Sequence, residues 1–235
     1  IDVLGVNTYG GVHALPKQIE AYGWDGPYVV TEWGPNGHWE VFKTEWEAPV
    51  EQTSSEKADS YLKRYTETIA TDTKNCVGSY VFLWGQKQET TATWYGIFTP
   101  EGEETEAVDV LEFCWSGEWP ANRTPTIDSF NIAGKNAYQN VYLEPGKQVE
   151  AQAAIKDADN DKLTYRWEIV PESTENKAGG DYEAGIASIK GLVVEEKEGK
   201  LIFKAPKKEG GYRLFIYAYD GNNNVATGNI PFYVK

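Results

Sequence analysis

The sequence is poor in the residues that mark several common protein classes. It has only two cysteines, Cys76 and Cys114, which are too few for a disulfide scaffold. A bond between them and two buried thiols are equally consistent with the sequence. No apolar run approaches the ~20 residues that a membrane-spanning helix needs. Basic residues number 22 against 36 acidic ones, and because the net charge of -14 would repel phosphates, we expect no nucleic-acid partner.

Methionine is absent altogether, and the chain begins at Ile1 without a signal peptide. We therefore expect a further segment upstream. Aromatic residues, by contrast, are abundant, with nine tryptophans and fifteen tyrosines. Eight of the tryptophans lie at or before Trp119 and only Trp167 lies beyond it, which indicates two regions of different character. A tryptophan face can cover the apolar face of a sugar ring, although tryptophan also serves simply to fill cores.

In the first region, strand-like runs alternate with helix signals. The runs cover residues 2–9, 27–33 and 78–85. The helix signals are an apolar spacing between Pro16 and Gly23, a capping box at residues 53–56 and a short segment around residues 106–112. This order predicts three βα units of a parallel sheet, with polar residues meeting at the carboxyl ends of its strands.

The central stretch of this region is PYVVTEWGPNGHW, residues 27–39. An apolar strand here ends in Glu32, and a Gly/Pro/Asn loop follows. A carboxylate at the end of an apolar strand is costly unless it is paired or used. In a (β/α)8 barrel, catalytic residues occupy this position. The alternative is an acidic residue that is solvated at the start of a loop.

Four motifs together resemble the last three units of a retaining glycoside hydrolase barrel: DVLGVNTY (2–9), VTEWG (30–34), YVFLWG (80–85) and YGIFTPEG (95–102). The likeness is to family 2 enzymes of the β-galactosidase, β-glucuronidase and β-mannosidase type, and it covers residues 1–118. It implies the C-terminal part of a TIM barrel whose upstream half lies on the same protein. That half would carry the acid/base residue, and without it we expect this chain to be inactive.

The resemblance also implies roles for individual residues. Glu32 matches the catalytic nucleophile, and Asn7 with Tyr9 matches the pair that contacts nucleophile and substrate. Trp84 matches the tryptophan beneath the cleaved sugar. Trp39 and Glu89 lie on loops that would shape substrate specificity, as do His38, Lys87 and Trp94. The implied partner is a β-linked saccharide.

Beyond a linker at residues 119–124, the hydrophobic period changes to two. About seven alternating runs in residues 125–235, separated by turn residues, predict an immunoglobulin-like β-sandwich. The stretches DADNDKLTYRW (157–167) and YAYDG (217–221) resemble the PKD and cadherin-like modules of secreted bacterial carbohydrate enzymes. That resemblance implies a secreted, periplasmic or cell-surface location.

Asp157, Asp159 and Asp161 could supply oxygen ligands to a structural Ca²⁺. A solvated acidic turn is the preferred alternative, since three carboxylates fall short of the six to eight ligands that Ca²⁺ takes. We expect no other cofactor.

These observations predict a retaining glycoside hydrolase that carries the nucleophile half of its active site. A non-catalytic carbohydrate-binding or scaffold protein is the first alternative, and an adhesion module is the second. The missing acid/base favours the alternatives, whereas a carboxylate at the strand end favours the enzyme.

Overall fold

A computed structural model describes residues 1–174 and 181–235, which hold eleven β-strands and three α-helices. The first region contains β1 (Leu4–Asn7), α1 (Leu15–Ala21), β2 (Tyr28–Trp33), α2 (Ser54–Arg64), β3 (Cys76–Val81) and α3 (Glu106–Ser116). The second contains β4 (Thr126–Ile132), β5 (Val141–Leu143), β6 (Gln148–Lys156), β7 (Thr164–Pro171), β8 (Val193–Lys197), β9 (Lys200–Lys204), β10 (Gly210–Tyr219) and β11 (Val225–Val234). A 3₁₀ turn (Gly10–Ala14) precedes α1, and a π-helical turn (Tyr65–Ile69) extends α2.

Strands β1, β2 and β3 form a small parallel sheet in that order. Their apolar side chains pack with the helices in one core, in which Val30, Trp33, Tyr61 and Leu111 are almost fully buried. The sheet therefore places the carboxyl ends of three strands side by side, as parallel pairing requires.

The predicted fold class is nevertheless wrong. Most of the regular secondary structure in the described residues is β-strand, and these residues do not form three βα units of a TIM barrel. The three parallel strands remain an open sheet, whereas a barrel closes only when enough strands tilt and pair around an axis. Alternation of strands and helices predicts parallel pairing, but it specifies neither how many strands pair nor whether the sheet closes.

Helix α2 begins where the sequence predicts. The side chain of Thr53 accepts from the Glu56 amide at 3.2 Å, and the Glu56 carboxylate accepts from the Thr53 amide at 2.7 Å. Helix α3 ends at Gly117, whose φ of 83° is a left-handed conformation that glycine adopts without steric cost. Cys76 and Cys114 are free, half-buried thiols, and burial raises the pKa of Cys114 to about 11.

The second region is a sandwich of two four-stranded sheets, β4-β6-β9-β8 and β5-β11-β10-β7. Labelled in chain order with β4 and β5 as A and A′, these sheets are ABED and A′GFC, which is immunoglobulin-like topology. Trp167 lies on the C-equivalent strand β7 and packs against Phe130 of the opposite sheet. Tyr212, near the start of β10, donates its hydroxyl to the Lys208 carbonyl at 2.8 Å, as in the tyrosine corner of such domains.

Buried polar groups join the two regions. Glu51 is 3% exposed, and its carboxylate accepts from Lys57 Nζ at 2.5 Å and from Asn229 Nδ2 of β11 at 2.6 Å. Arg213 of β10 is 1% exposed and donates to the Pro49 carbonyl at 2.8 Å. Because a buried charge is tolerated only when it is paired, these contacts fix how the sandwich sits on the first region.

Candidate functional site

Glu32 lies at the carboxyl end of β2, next to the neighbouring strand β1. The two strands pair in parallel, with Asn7 opposite Glu32, and the Thr8 amide donates to the Glu32 carbonyl at 2.9 Å. The chain leaving β1 thereby places Tyr9 over the Glu32 side chain, and its hydroxyl donates to Glu32 Oε2 at 2.9 Å. Among the described residues, Tyr9 is the hydrogen-bond donor to this carboxylate.

Tyr9 is the centre of an aromatic group. Its ring makes edge contacts with Trp39, Phe82 and Tyr95, with centroid separations of 5.6, 5.9 and 5.7 Å. Burial raises the pKa of Tyr9, and its hydrogen bond to Glu32 and the nearby negative charges raise that pKa further. Tyr9 therefore remains a neutral hydroxyl donor at physiological pH. Trp39 is 57% exposed, so part of its indole ring is accessible to a ligand.

Two predicted substrate contacts direct their side chains to other partners than Glu32 or Tyr9. Asn7 is exposed, and its Oδ1 accepts from Thr31 Oγ1 at 2.6 Å rather than contacting Glu32. Trp84 packs against Phe98 and Trp115, with centroids 5.4 and 5.8 Å away, and thus belongs to a separate group of three aromatic rings. The resemblance named both residues but gave no information on which way their side chains turn.

Glu89 forms the polar side of the site. It is buried and pairs with Lys87 Nζ at 2.5 Å, and His38 Nε2 lies 3.8 Å from its other oxygen. The His38 ring in turn makes an edge contact with Trp39, 4.9 Å away, which connects Glu89 to the aromatic group. Burial lowers the pKa of His38, and the charges of Glu89 and Glu183 oppose that effect. His38 is therefore largely neutral at pH 7.

Three supporting residues were not predicted from the sequence. Tyr95 packs on Tyr9, and its hydroxyl accepts from the His38 amide at 3.3 Å. Arg64 donates to the Gly34 carbonyl and to Asn36, and Glu40 accepts from the Gly37 amide at 2.8 Å. These contacts hold the loop after β2. Of these three residues, Tyr95 alone lies in a motif singled out from the sequence, YGIFTPEG (95–102).

The predicted acidic turn is only partly brought together. Ligand oxygens of Asp157, Asp161 and Asp220 all lie within 4.8 Å of one another. Asp159 points elsewhere, since its Oδ2 accepts from the Arg123 amide at 2.6 Å. Asp220 was missed because it lies some sixty residues further along the chain. Its carboxylate is already occupied by donors, including Asn122 Nδ2 at 2.7 Å.

Within the described part of the chain, no helix has both the length and the apolar character to cross a membrane.

Comparison with known proteins gives no family. No family model and no curated protein matches the chain. Among solved structures, the PKD domain of an M14-like peptidase from a Thermoplasmatales archaeon matches with 21% identity over 48% of this chain and 98% of that one, with a TM-score of 0.30. A chimeric titin Z1Z2 tandem matches with 20% identity over 50% of this chain and 53% of that one, with a TM-score of 0.27. The PmoD soluble domain from Methylocystis sp. matches with 8% identity over 50% of this chain and 95% of that one, with a TM-score of 0.28. At these TM-scores, the similarities carry no argument about function.

Proposed function

We propose that this chain carries the nucleophile of a retaining glycoside hydrolase and that Glu32 is that nucleophile. The observation behind the proposal is the hydrogen bond from Tyr9 to Glu32 Oε2, 2.9 Å long, within a group of aromatic rings. A neutral donor on one oxygen stabilises the ionised carboxylate and orients the other oxygen toward a substrate. The neighbouring Trp39 offers a face on which a sugar ring can stack.

The chemistry assigns a step to Glu32. Its carboxylate attacks the anomeric carbon, the glycosidic C–O bond breaks, and water later hydrolyses the glycosyl ester. A second carboxyl, ~5–5.5 Å away, protonates the leaving group and then activates the water. We do not assign that role to Glu89, because Lys87 Nζ already occupies one of its carboxylate oxygens at 2.5 Å. Glu89 is better suited to accept hydrogen bonds from sugar hydroxyls.

A second candidate function is saccharide binding without hydrolysis. It is favoured by the state of the other carboxylate placed at the site, Glu89, which is paired with Lys87 Nζ at 2.5 Å and is assigned no acid/base role. Such a protein would use the same tryptophan face and the same polar side of the site. The carboxylate of Glu32 would then accept a sugar hydroxyl instead of attacking carbon.

Dinitrophenyl β-glycosides distinguish these functions because their leaving group departs without a proton from the enzyme. Ordinary glycosides should remain unhydrolysed because the acid/base residue is missing, but the full chain should release dinitrophenol from at least one of the gluco, galacto and manno substrates. Glu32→Gln should reduce that rate by about a thousandfold or more. Glu20→Gln, an exposed position on α1, serves as the matched control and should not change it. Release that persists in Glu32→Gln would contradict the proposal, and saccharide binding without release would favour the second candidate.

A further inference from the structure

The loop that carries Glu89 is in contact with the sandwich. This loop, residues 86–94, crosses from the end of the parallel sheet to the candidate site. Its Thr90 amide donates to Glu183 Oε2 at 2.9 Å, although the two residues are 93 positions apart. Glu183 belongs to the sandwich, between β7 and β8, and is 7% exposed. A carboxylate of the second region thus reaches the backbone of the loop that forms the first region's site.

The contact is made where the loop is conformationally unfavourable. Thr90 has a φ of 63°, which is a left-handed conformation. A β-branched residue avoids that conformation, so it persists only where surrounding contacts enforce it. A charge-assisted hydrogen bond from the Thr90 amide to a buried carboxylate is one such contact. Glu89 and Thr91, on either side of Thr90, exchange backbone hydrogen bonds of 3.0 and 2.6 Å. These bonds hold the backbone of the two residues close together across the turn.

The far end of the loop is held through a second contact with the sandwich. Thr91 and Thr93 donate their hydroxyls to Glu51 at 2.6 and 2.8 Å. The same carboxylate accepts from Asn229 of β11 at 2.6 Å. The loop is therefore fixed at Thr90 and on its C-terminal side by groups that contact the sandwich or belong to it.

The Glu183 segment is itself well anchored. Ile186 packs against a small apolar cluster on the sandwich that contains Val170, Phe215 and Tyr217. Glu183 is also close enough to act electrostatically on His38, the residue that faces Glu89. The sandwich thus contributes to the candidate site both as a support and as a source of negative charge.

We propose that Glu183 is a positioning residue of the candidate site, which fixes the left-handed turn at Thr90 and thereby places Glu89 beside His38. The sandwich is then part of the site and not merely attached to the region that contains it. The role of the site in saccharide chemistry rests on the proposed function, whereas the positioning itself does not.

Amide hydrogen exchange of the full chain tests this without any substrate. In Glu183→Ala, exchange at Thr90 and its neighbours should become about tenfold to a hundredfold faster, because the loop loses its charged acceptor. Exchange in β10 and β11 should stay unchanged. Glu183→Gln should keep most of the protection, since its amide oxygen can still accept the bond. Glu195→Ala, on the exposed strand β8, is the matched control and should have no effect on the loop.

A second variant separates positioning from general stability. Asparagine tolerates the left-handed conformation better than threonine, so Thr90→Asn should reduce the effect of Glu183→Ala on loop exchange. Unchanged loop exchange in Glu183→Ala would overturn the proposal. Faster exchange throughout the sandwich in Glu183→Ala, with no recovery in Glu183→Gln, would also overturn it. Glu183 would then stabilise the sandwich as a whole and would not position the loop. Neither result depends on turnover, so the proposal and the glycosidase assignment can fail separately.

Discussion

The buried carboxylate of Glu51 should dominate the stability of the junction between the two regions. Its side chain is 1% exposed, and it accepts hydrogen bonds from Lys57, Thr91, Thr93 and Asn229. Burial alone would raise the pKa of Glu51, but the charge of Lys57 and the hydrogen bonds of Lys57 and Thr91 lower it below its ordinary value. The carboxylate therefore remains ionised at the centre of this network.

Glu51→Gln keeps the size of the side chain but removes its charge. The Lys57 ammonium, whose side chain is 8% exposed, then remains buried without a counter-charge. Removing one partner of a buried ion pair costs about 3–5 kcal/mol. At a slope of about 2–3 kcal/mol per molar urea, the unfolding midpoint should fall by about 1–2.5 M.

Urea unfolding followed by tryptophan fluorescence measures this shift. Glu144→Gln is the control, because Glu144 pairs with Lys147 at 2.6 Å while both side chains are more than half exposed. Its change in stability should stay within about 0.5 kcal/mol. Adding Lys57→Met to Glu51→Gln should recover part of the loss, since the unpaired charge is then removed. A Glu51→Gln variant as stable as the unmodified chain would refute this reasoning.

Three further outcomes are expected. Because the pKa of Glu51 is lowered, its stabilising contribution is present above its unfolded pKa of about 4.3 and is lost as pH falls through the folded pKa. When the free energy of unfolding is measured at decreasing pH, it should therefore fall more steeply below about pH 4.3 for the unmodified chain than for Glu51→Gln. Trp39→Ala should weaken saccharide binding, measured by calorimetry, by about 1–3 kcal/mol, whereas Trp84→Ala should leave it unchanged; equal losses would contradict the separation of the two aromatic groups. Exchanging calcium for a chelator should leave the melting temperature unchanged, because hydrogen-bond donors already occupy Asp220; a rise with calcium that Asp220→Asn abolishes would instead identify a calcium site.

Local features of the fold were predictable from the sequence where a short-range rule determines them. The capping box at Thr53 and Glu56 and the alternation of buried and exposed residues along β6 depend on residues a few positions apart. The approach of Tyr9 to Glu32 follows from parallel pairing of neighbouring strands, which the strand–helix alternation indicates.

Features that depend on distant contacts were not predictable. Asn229 meets Glu51 across 178 positions, and Glu183 meets Thr90 across 93. The hydrophobic periodicity of the sequence does not reveal such pairs, because each side chain is locally an ordinary polar residue in a strand or loop. The barrel prediction failed for a related reason. The local alternation of strands and helices does not show how many strands a sheet contains, and closure of the sheet depends on that number.

The central claim is that Glu32 attacks a sugar carbon, and covalent labelling tests it most directly. The full chain would be incubated with dinitrophenyl 2-fluoro-β-glycosides of the gluco, galacto and manno series. The fluorine slows hydrolysis of the glycosyl ester, while the activated leaving group still allows the ester to form. Mass spectrometry should show one added glycosyl group on the peptide that contains Glu32, and none in Glu32→Gln. A label on any other carboxylate, or no label from a sugar that the chain demonstrably binds, would contradict the claim.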